Sequence, residues 1–401
     1  MVEKKRILVC SHWMEIGGAE RALLGLLHSI DKEQYEIDLF LCRHTGEFLN
    51  YIPAGINLLP ENKHAASIAI PMRKALQIGE YKLVISRVLG KIAAKRYVKK
   101  HCLQNNNVAI EYSNKYTFWC VPWIDAGKHY DCVISFLEPH YLAAFRTSAE
   151  KKIAWIHTDY GSIDIDPDSG KKVWKRFTHI VAVSDICKKS FADRFPELAE
   201  RTVVIENIND IDSLLRQAEC PVKDFEKTSS GEIRILSVGR FCYAKNFDNV
   251  PDICRRIREA GMNVRWYLIG YGGDEALIRQ KIKEAGMEEY VIILGKKENP
   301  YPYIKACDLY VQPSRYEGKC VSVIEAQILG KPVVITNYPT SGSQLEDGVD
   351  GVIVPQDNAG CAEGIIRLLQ NPKKMAELQR NCANRDYSNA EAMEKLYALI
   401  E

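Results

Sequence analysis

Apolar residues in this chain gather into short, near-continuous runs separated by longer stretches of helical character, and the runs form two series. The first occupies residues 6–10, 37–41, 132–136, 153–156, 180–183 and 203–205, each rich in Val, Ile and Leu. Runs of this length without polar alternation are strands buried on both faces. Alternating with amphipathic helices, they predict a parallel sheet covered on both sides, the doubly wound arrangement. A polar stretch at 223–232 reads as the most linker-like segment, and beyond it a second series follows at 233–238, 264–269, 291–294, 309–312, 333–336 and 352–354. The pattern predicts two α/β domains of similar build without a repeat of fixed period. The last stretch, 389–400, sets Ala392, Leu396, Leu399 and Ile400 on one side of a helix.

Composition narrows the class. A chain of 401 residues with 46% hydrophobic content has enough material for two packed cores and is not a disordered protein. Its 54 basic and 52 acidic residues leave a net charge of +2, which is not the footprint of a nucleic-acid binder. The 13 cysteines include no C-x-x-C pair, and Cys10 and Cys132 lie inside apolar strands, so they read as reduced core thiols of a cytosolic protein. The first apolar stretch, 7–9, is too short for a signal-peptide core, and no run of about 18 apolar residues exists to span a bilayer. The expected location is cytoplasmic.

One segment departs from this balance. Residues 72–101 carry nine basic side chains against a single acid, Glu80. Tyr81, Val84, Ile85, Val88 and Ile92 recur there at helical spacing, predicting an amphipathic helix with basic flanks. Two readings stay open: a stripe that covers the first domain's core, or one that rests on an anionic membrane surface.

The candidate chemistry lies at strand ends. Glu317 and Glu325 flank Gly318-Lys319-Cys320-Val321-Ser322-Val323-Ile324, which puts one carboxylate before a helix and the other in its first turns. The helix N-terminus, with its free amides and positive dipole end, then points to where Glu317 sits and suits an anion. Ser237-Val238-Gly239-Arg240 ends another strand, and Lys245 follows five residues later. Gly17-Gly18 opens a helix after the first strand, where the glycines let a backbone approach a phosphate; His157 closes the run Ile153-Ala154-Trp155-Ile156. Gly270-Tyr271-Gly272-Gly273 lacks the G-x-G-x-x-G spacing and reads as a turn that faces a nucleotide or merely links two elements. Asp164-Ile165-Asp166, among Gly161, Pro167, Ser169 and Gly170, reads as a loop of capping aspartates in preference to a D-x-D metal motif.

These segments, in this order, resemble the family 4 retaining glycosyltransferases, whose E-x7-E signature matches Glu317 to Glu325. The resemblance covers nearly the whole chain. It implies the α/β GT-B fold, two doubly wound Rossmann-like domains facing a central cleft: 1–206 for the acceptor, 207–388 for the nucleotide sugar, and 389–401 as a helix returning to the first domain. It implies that Arg240 and Lys245 hold the donor diphosphate, that Glu317 binds sugar hydroxyls and Glu325 ribose, and that His157 stands at the donor sugar. By the same resemblance, Val321 and Ser322 offer backbone contacts to the donor, Gly295 and Lys296 border the base, and Gly17 and Gly18 complete the site. The implied activity is metal-independent hexosyl transfer, with retention, from a nucleotide diphosphate sugar, UDP-sugar favoured, to a glycan or lipid-linked acceptor of cell-surface polysaccharide or glycolipid synthesis. No cofactor is implied. Two departures stand out: Cys320 where many members carry glycine, and Ile208 after Asn207 where the family continues Asn-Gly. The competing classes are a sugar-nucleotide epimerase or nicotinamide dehydrogenase, and an inactive glycosyltransferase-like partner subunit. No G-x-G-x-x-G follows Val9, which disfavours the dehydrogenase, and Arg240, Lys245, Glu317 and Glu325 standing together disfavour a decayed site.

Overall fold

A computed structural model describes residues 4–103, 107–125, 127–222, 224–227 and 229–401. The chain divides into two compact units, Met1–Ile208 with Asn389–Glu401, and Asn209–Ser388. In the first unit β1 (Lys5–Ser11), β2 (Tyr35–Leu41), β3 (Ile56–Leu58), β4 (Tyr130–Ser135), β5 (Ala149–Ile156), β6 (His179–Ala182) and β7 (Thr202–Val204) form one parallel sheet in the order β3-β2-β1-β4-β5-β6-β7. The central strands carry apolar residues on both faces: Ile7, Leu8 and Val9 are fully buried, as are Cys132, Val133 and Ile134. Ile208, at the last position before the second unit, is buried in this core and takes an ordinary negative φ, so the turn there needs no glycine.

The second unit holds β8 (Ile233–Val238), β9 (Val264–Ile269), β10 (Val291–Gly295), β11 (Leu309–Gln312), β12 (Val333–Thr336) and β13 (Val352–Val354), parallel in the order β10-β9-β8-β11-β12-β13. Period-2 alternation divides its apolar residues between two cores. Ile235, Trp266, Leu268 and Val311 pack on one face, and Leu236, Tyr267, Ile269 and Tyr310 on the other. In both sheets the order reverses beside the first strand of the unit, and the loops leaving the carboxyl ends of the strands on either side of that reversal frame a crevice where such sheets take ligands.

The final helix, Ala390–Ile400, belongs to the first unit: Met393, Leu396 and Ile400 are buried in its core, and Tyr397 stacks on Tyr35 with ring centroids 5.5 Å apart. The Tyr397 hydroxyl also accepts the Asp31 amide at 2.9 Å.

Two expectations need correction. The stretch 223–232 is not a linker: Phe225 is buried against Tyr267, ring centroids 4.5 Å apart, and Lys297 donates to Asp224 at 2.6 Å. An aromatic inside a polar run was enough to anchor it. Within that stretch Lys223 and Thr228 lie outside the described residues. The second correction concerns the helix Tyr81–His101. Its inward face is made by Leu83, Val84, Ser86, Gly90 and Ala94, and of the stripe read from the sequence only Val84 is buried. Tyr81, Ile85, Val88 and Ile92 are exposed, together with Leu89. Gly90 explains how a small-residue face packs: a Cβ there would stand 2.9 Å from the Tyr112 carbonyl oxygen of the neighbouring helix Asn107–Thr117.

Candidate functional site

In the second unit the loop after β8 and the loop after β11 flank the sheet's reversal point. The first of them makes a single 3-10 turn, Tyr243–Lys245, closed by Asn246 in the left-handed region with φ 60°. Asn246 then donates to the Pro313 carbonyl at 2.9 Å. Arg315 completes the tie, with a two-pronged contact to Asp248 at 3.0 and 2.7 Å and a hydrogen bond to the Tyr243 carbonyl at 2.6 Å. The two loops are thereby fixed to one another, and Lys245 is held over the glycine that ends β8: a Cβ on Gly239 would come within 3.2 Å of the lysine's Cδ and Cε.

Held this way, Lys245 Nζ donates to Glu317 Oε1 at 2.6 Å, and both side chains are largely buried. The same oxygen accepts from Ser314 Oγ at 2.6 Å, which accepts from Gln312 Nε2 at 2.9 Å; Gln312 in turn accepts the Tyr310 hydroxyl at 3.0 Å. This relay locks the Glu317 rotamer. Burial alone would lower the Lys245 pKa, but the Glu317 carboxylate, bonded to it and beside it, outweighs that and carries it above the usual lysine range. Burial also pushes the Cys320 thiol up to about 11, so it is neutral at pH 7, and Glu317 is the partner that holds the ammonium.

The helix Val321–Ile328 starts beside this pair. Cys320 is its N-cap residue, and its amide donates to Gln344 at 2.6 Å while its Sγ lies 3.7 Å from Lys245 Nζ and 3.3 Å from Ser322 Oγ. Val321 and Ser322 form the first turn, whose amides have no carbonyl to bind within the helix. Glu325 sits one turn further, 3% exposed, accepting the Tyr301 hydroxyl at 2.9 Å. Arg240 differs from all of these. It is exposed, with no hydrogen bond or ion pair among the described residues.

The loops after β9 and β10 join the same edge. The Phe241 amide donates to Tyr271 at 2.8 Å and the Gly270 amide to Gly295 at 3.0 Å. A side chain at Gly270 would collide with the Gly239 carbonyl and one at Gly272 with that of Phe241. The glycines of Gly270-Tyr271-Gly272 thus serve close backbone approach. Lys296 lies 4.4 Å from the Tyr271 ring centroid, and Gly295 takes φ 73°.

The structure therefore brings Lys245, Glu317, Cys320 and Ser322 into contact, places Arg240 on the Lys245 loop, and puts Val321 and Glu325 on the adjoining helix. Gly17, Gly18 and His157 belong to the other unit. There, Gly17 precedes the helix Gly18–Ser29, and the Glu20 carboxylate occupies the position a Gly17 side chain would need, receiving Trp13 Nε1 at 3.2 Å. A carboxylate there opposes the phosphate approach read from the glycines. His157 Nε2 lies 3.1 Å from the Phe136 carbonyl, which accepts only, so Nε2 carries the proton and Nδ1 is the acceptor. Burial holds this histidine neutral, its pKa down at about 3. Asp166 caps the helix Pro167–Trp174, accepting the Ser169 amide at 3.2 Å and the Tyr112 hydroxyl at 2.6 Å, as a capping aspartate should.

Sequence reading missed the Tyr310-Gln312-Ser314 relay and Tyr301. The signal for the first was present: polar residues at alternate positions closing an otherwise apolar strand. It missed Glu111 as well. Burial raises the Glu111 carboxyl from 4.5 to about 7, with Asp166 and Glu138 adding to the shift and the nearby Ser169 hydroxyl and the Asp166 amide opposing it. The folded chain thus keeps a proton that the unfolded chain has lost. The stability this contributes is complete below about pH 4.5 and disappears as pH rises through about 7. Glu111→Gln should flatten the fall of Tm across that interval; an unchanged slope in paired melting curves would show that the carboxyl titrates normally.

Two parallel doubly wound units of seven and six strands define the GT-B class of α/β fold, and solved structures of that class superpose on the full chain. HepE from Anabaena, in complex with UDP and glucose, gives a TM-score of 0.70 at 17% identity over 98% of each chain. TarM from S. aureus gives 0.69 at 13% identity, over 99% of this chain and 100% of the other. At the sequence level residues 221–385 match the family described as glycosyl transferases group 1. Curated relatives include the amylovoran biosynthesis glycosyltransferase AmsK of Erwinia amylovora, 29% identical over 142 residues, 33% of this chain and 35% of that protein. A 4-alpha-N-acetylgalactosaminyltransferase of Campylobacter jejuni, acting on a diphospho-undecaprenol-linked saccharide by its name, is 28% identical over 164 residues, 40% of this chain and 43% of that protein. The matched segments thus span less than half of these relatives.

Proposed function

We propose that this chain is a family 4 glycosyltransferase that moves a hexose-type sugar, with retention and without a metal ion, from a UDP-sugar to a glycan or lipid-linked acceptor. The observation that carries this reading is the Lys245–Glu317 pair beside the start of the helix Val321–Ile328, with Arg240 exposed on the same loop. An ammonium, a guanidinium and the unpaired amides of a helix start suit a diphosphate. In the reaction the sugar C1–O bond to phosphate breaks, the acceptor oxygen bonds C1, and the acceptor proton passes to the departing phosphate oxygen. Arg240 and Lys245 stabilise the charge that grows on that phosphate. Glu317 holds sugar hydroxyls, Glu325 the ribose, and Gly295 and Lys296 border the base. His157 accepts a hydroxyl proton through Nδ1. Residues 207–388 take the donor and 1–206 the acceptor. A thermal-shift series with UDP, GDP and ADP tests this: UDP at about 100 times its dissociation constant should add roughly 2.7 kcal/mol. No stabilisation by any nucleoside diphosphate would overturn the reading.

The same reading gives the helix Tyr81–His101 a task. Tyr81, Ile85, Val88, Leu89 and Ile92 form an exposed stripe, bordered by Lys82, Lys91, Lys95 and Arg96 and continued by Lys99 and Lys100. An apolar face framed by cations fits the surface of an anionic bilayer, each cation there contributing around 1 kcal/mol, and brings the chain to a lipid-linked acceptor. No helix among the described residues is long and apolar enough to cross a membrane. The proposed attachment is peripheral, on the inner face, and is carried by the stripe and its cations. The protein should co-sediment with anionic vesicles, leave them as salt rises, and lose attachment when Lys91, Lys95, Arg96, Lys99 and Lys100 become Gln. Absence of binding at low salt would leave the acceptor as a soluble glycan.

A further inference from the structure

Within the first unit, at the carboxyl ends of β4 and β5, lies a cavity of about 210 Å³ walled by aromatic and aliphatic side chains, among them Tyr141, Trp155 and Trp174. A cavity of roughly 150 Å³ takes a benzene ring, so this one has room for a substituent larger than a water or two. Two polar atoms on its lining residues are anomalous. Trp155 is 1% exposed and its Nε1, a donor only, is buried without a hydrogen-bond partner; Glu111 Oε1 is buried and unpaired in the same way. The other Glu111 oxygen accepts the Asp166 amide at 3.3 Å, so its carboxyl is held in place. Buried polar groups are nearly always paired, and with Glu111 ionised, as it is above about pH 7, the two orphans are of opposite sense and call for a ligand group that offers an acceptor and a donor together.

We propose that this cavity is an acceptor subsite for the acylamino group of an N-acetylated sugar. The amide carbonyl accepts from Trp155 Nε1, the amide N–H donates to Glu111 Oε1, and the methyl lies against the aromatic wall. A hydroxyl at the same position satisfies at most the two polar atoms and leaves the apolar volume unfilled. An acidic sugar is disfavoured, because Glu111 and Glu138 both line the cavity and Asp166 adjoins Glu111. His157 also lines it, with its Nε2 committed to the Phe136 carbonyl, so the bound group lies next to the histidine assigned to the donor sugar. This inference deepens the transferase reading and rests on it for the word acceptor; the binding itself does not.

The test is binding without donor, read by Trp fluorescence and calorimetry on the full chain. Methyl N-acetylhexosaminides are compared with the corresponding methyl hexosides. At about pH 8 the N-acetylated sugar should bind at least tenfold more tightly, and Trp155→Phe and Glu111→Leu, each of which removes the polar atom, should each erase most of that preference. Because Trp155 is a core residue, Ile110→Trp serves as a second variant: Ile110 lines the cavity yet is exposed, and a larger side chain there should block entry while sparing the fold. Equal affinity for the two sugars, or a preference that survives Ile110→Trp, would overturn the proposal. Lys245→Ala separates the two readings, since it should leave this binding unchanged. Sugar binding here without nucleotide stabilisation would sink the transferase reading alone, and the reverse result would sink the subsite alone.

Discussion

Lys245→Ala should lower turnover with saturating donor by about a thousandfold, a larger loss than its effect on the donor's apparent binding constant. Removing one fixed donor from a developing oxyanion lowers kcat by roughly 10²–10³, and this ammonium is held in place by a carboxylate, a relay and a glycine floor. The same change strands Glu317 in a largely buried position, so Tm should fall as well. Arg240→Ala makes the informative comparison. Arg240 has no partner among the described residues, so its loss should lower turnover with no change in Tm. The double variant should fall short of the product of the two effects, because both cations serve one diphosphate. Wild-type turnover in Lys245→Ala would remove the assignment altogether.

The two carboxylates should separate just as sharply. Glu317→Ala should abolish transfer yet leave nucleoside diphosphate binding intact or tighter, since Lys245 is then released from its ion pair toward phosphate. Glu325→Ala should weaken the nucleotide itself by about ten- to a hundredfold, the equivalent of roughly 1.5–3 kcal/mol for a charge-assisted contact to ribose. Glu325 is buried and bonded to Tyr301, so Glu325→Gln is the necessary companion. It keeps the shape and the Tyr301 acceptor while removing the charge. Calorimetric titration of both variants with the nucleoside diphosphate decides the matter, and equal affinities throughout would refute the division of roles.

Much of the fold was legible because parallel strands buried on both faces leave an unmistakable trace. Each apolar run became a strand, and β3 escaped because Ile56–Leu58 is three residues long with a polar residue in the middle. The polar run around Phe225 misled for the opposite reason: composition averages over a segment, while one aromatic anchors it. The individual site residues were legible as motifs, but their couplings were not. Lys245 and Glu317 are 72 positions apart, and nothing local to either signals that they share a hydrogen bond. Only the return of β11 beside β8 makes them neighbours. The Tyr81–Ile92 stripe shows a further limit: helical spacing reveals that a helix has an apolar face, and Leu83, Val84 and Ala94 show that this helix has two, with the sequence silent on which one turns inward.

The nested path of the chain sets an order on its synthesis. Residues 209–388 are contiguous, whereas the first unit lacks the helix Ala390–Ile400 until the whole of the second unit has been made. During that interval the surface that receives Met393, Leu396 and Ile400 stays open to water and to other nascent chains. Chaperone demand should therefore centre on the unit made first. Tyr397, joining Tyr35 and Asp31 across more than 360 positions, acts as the closing latch.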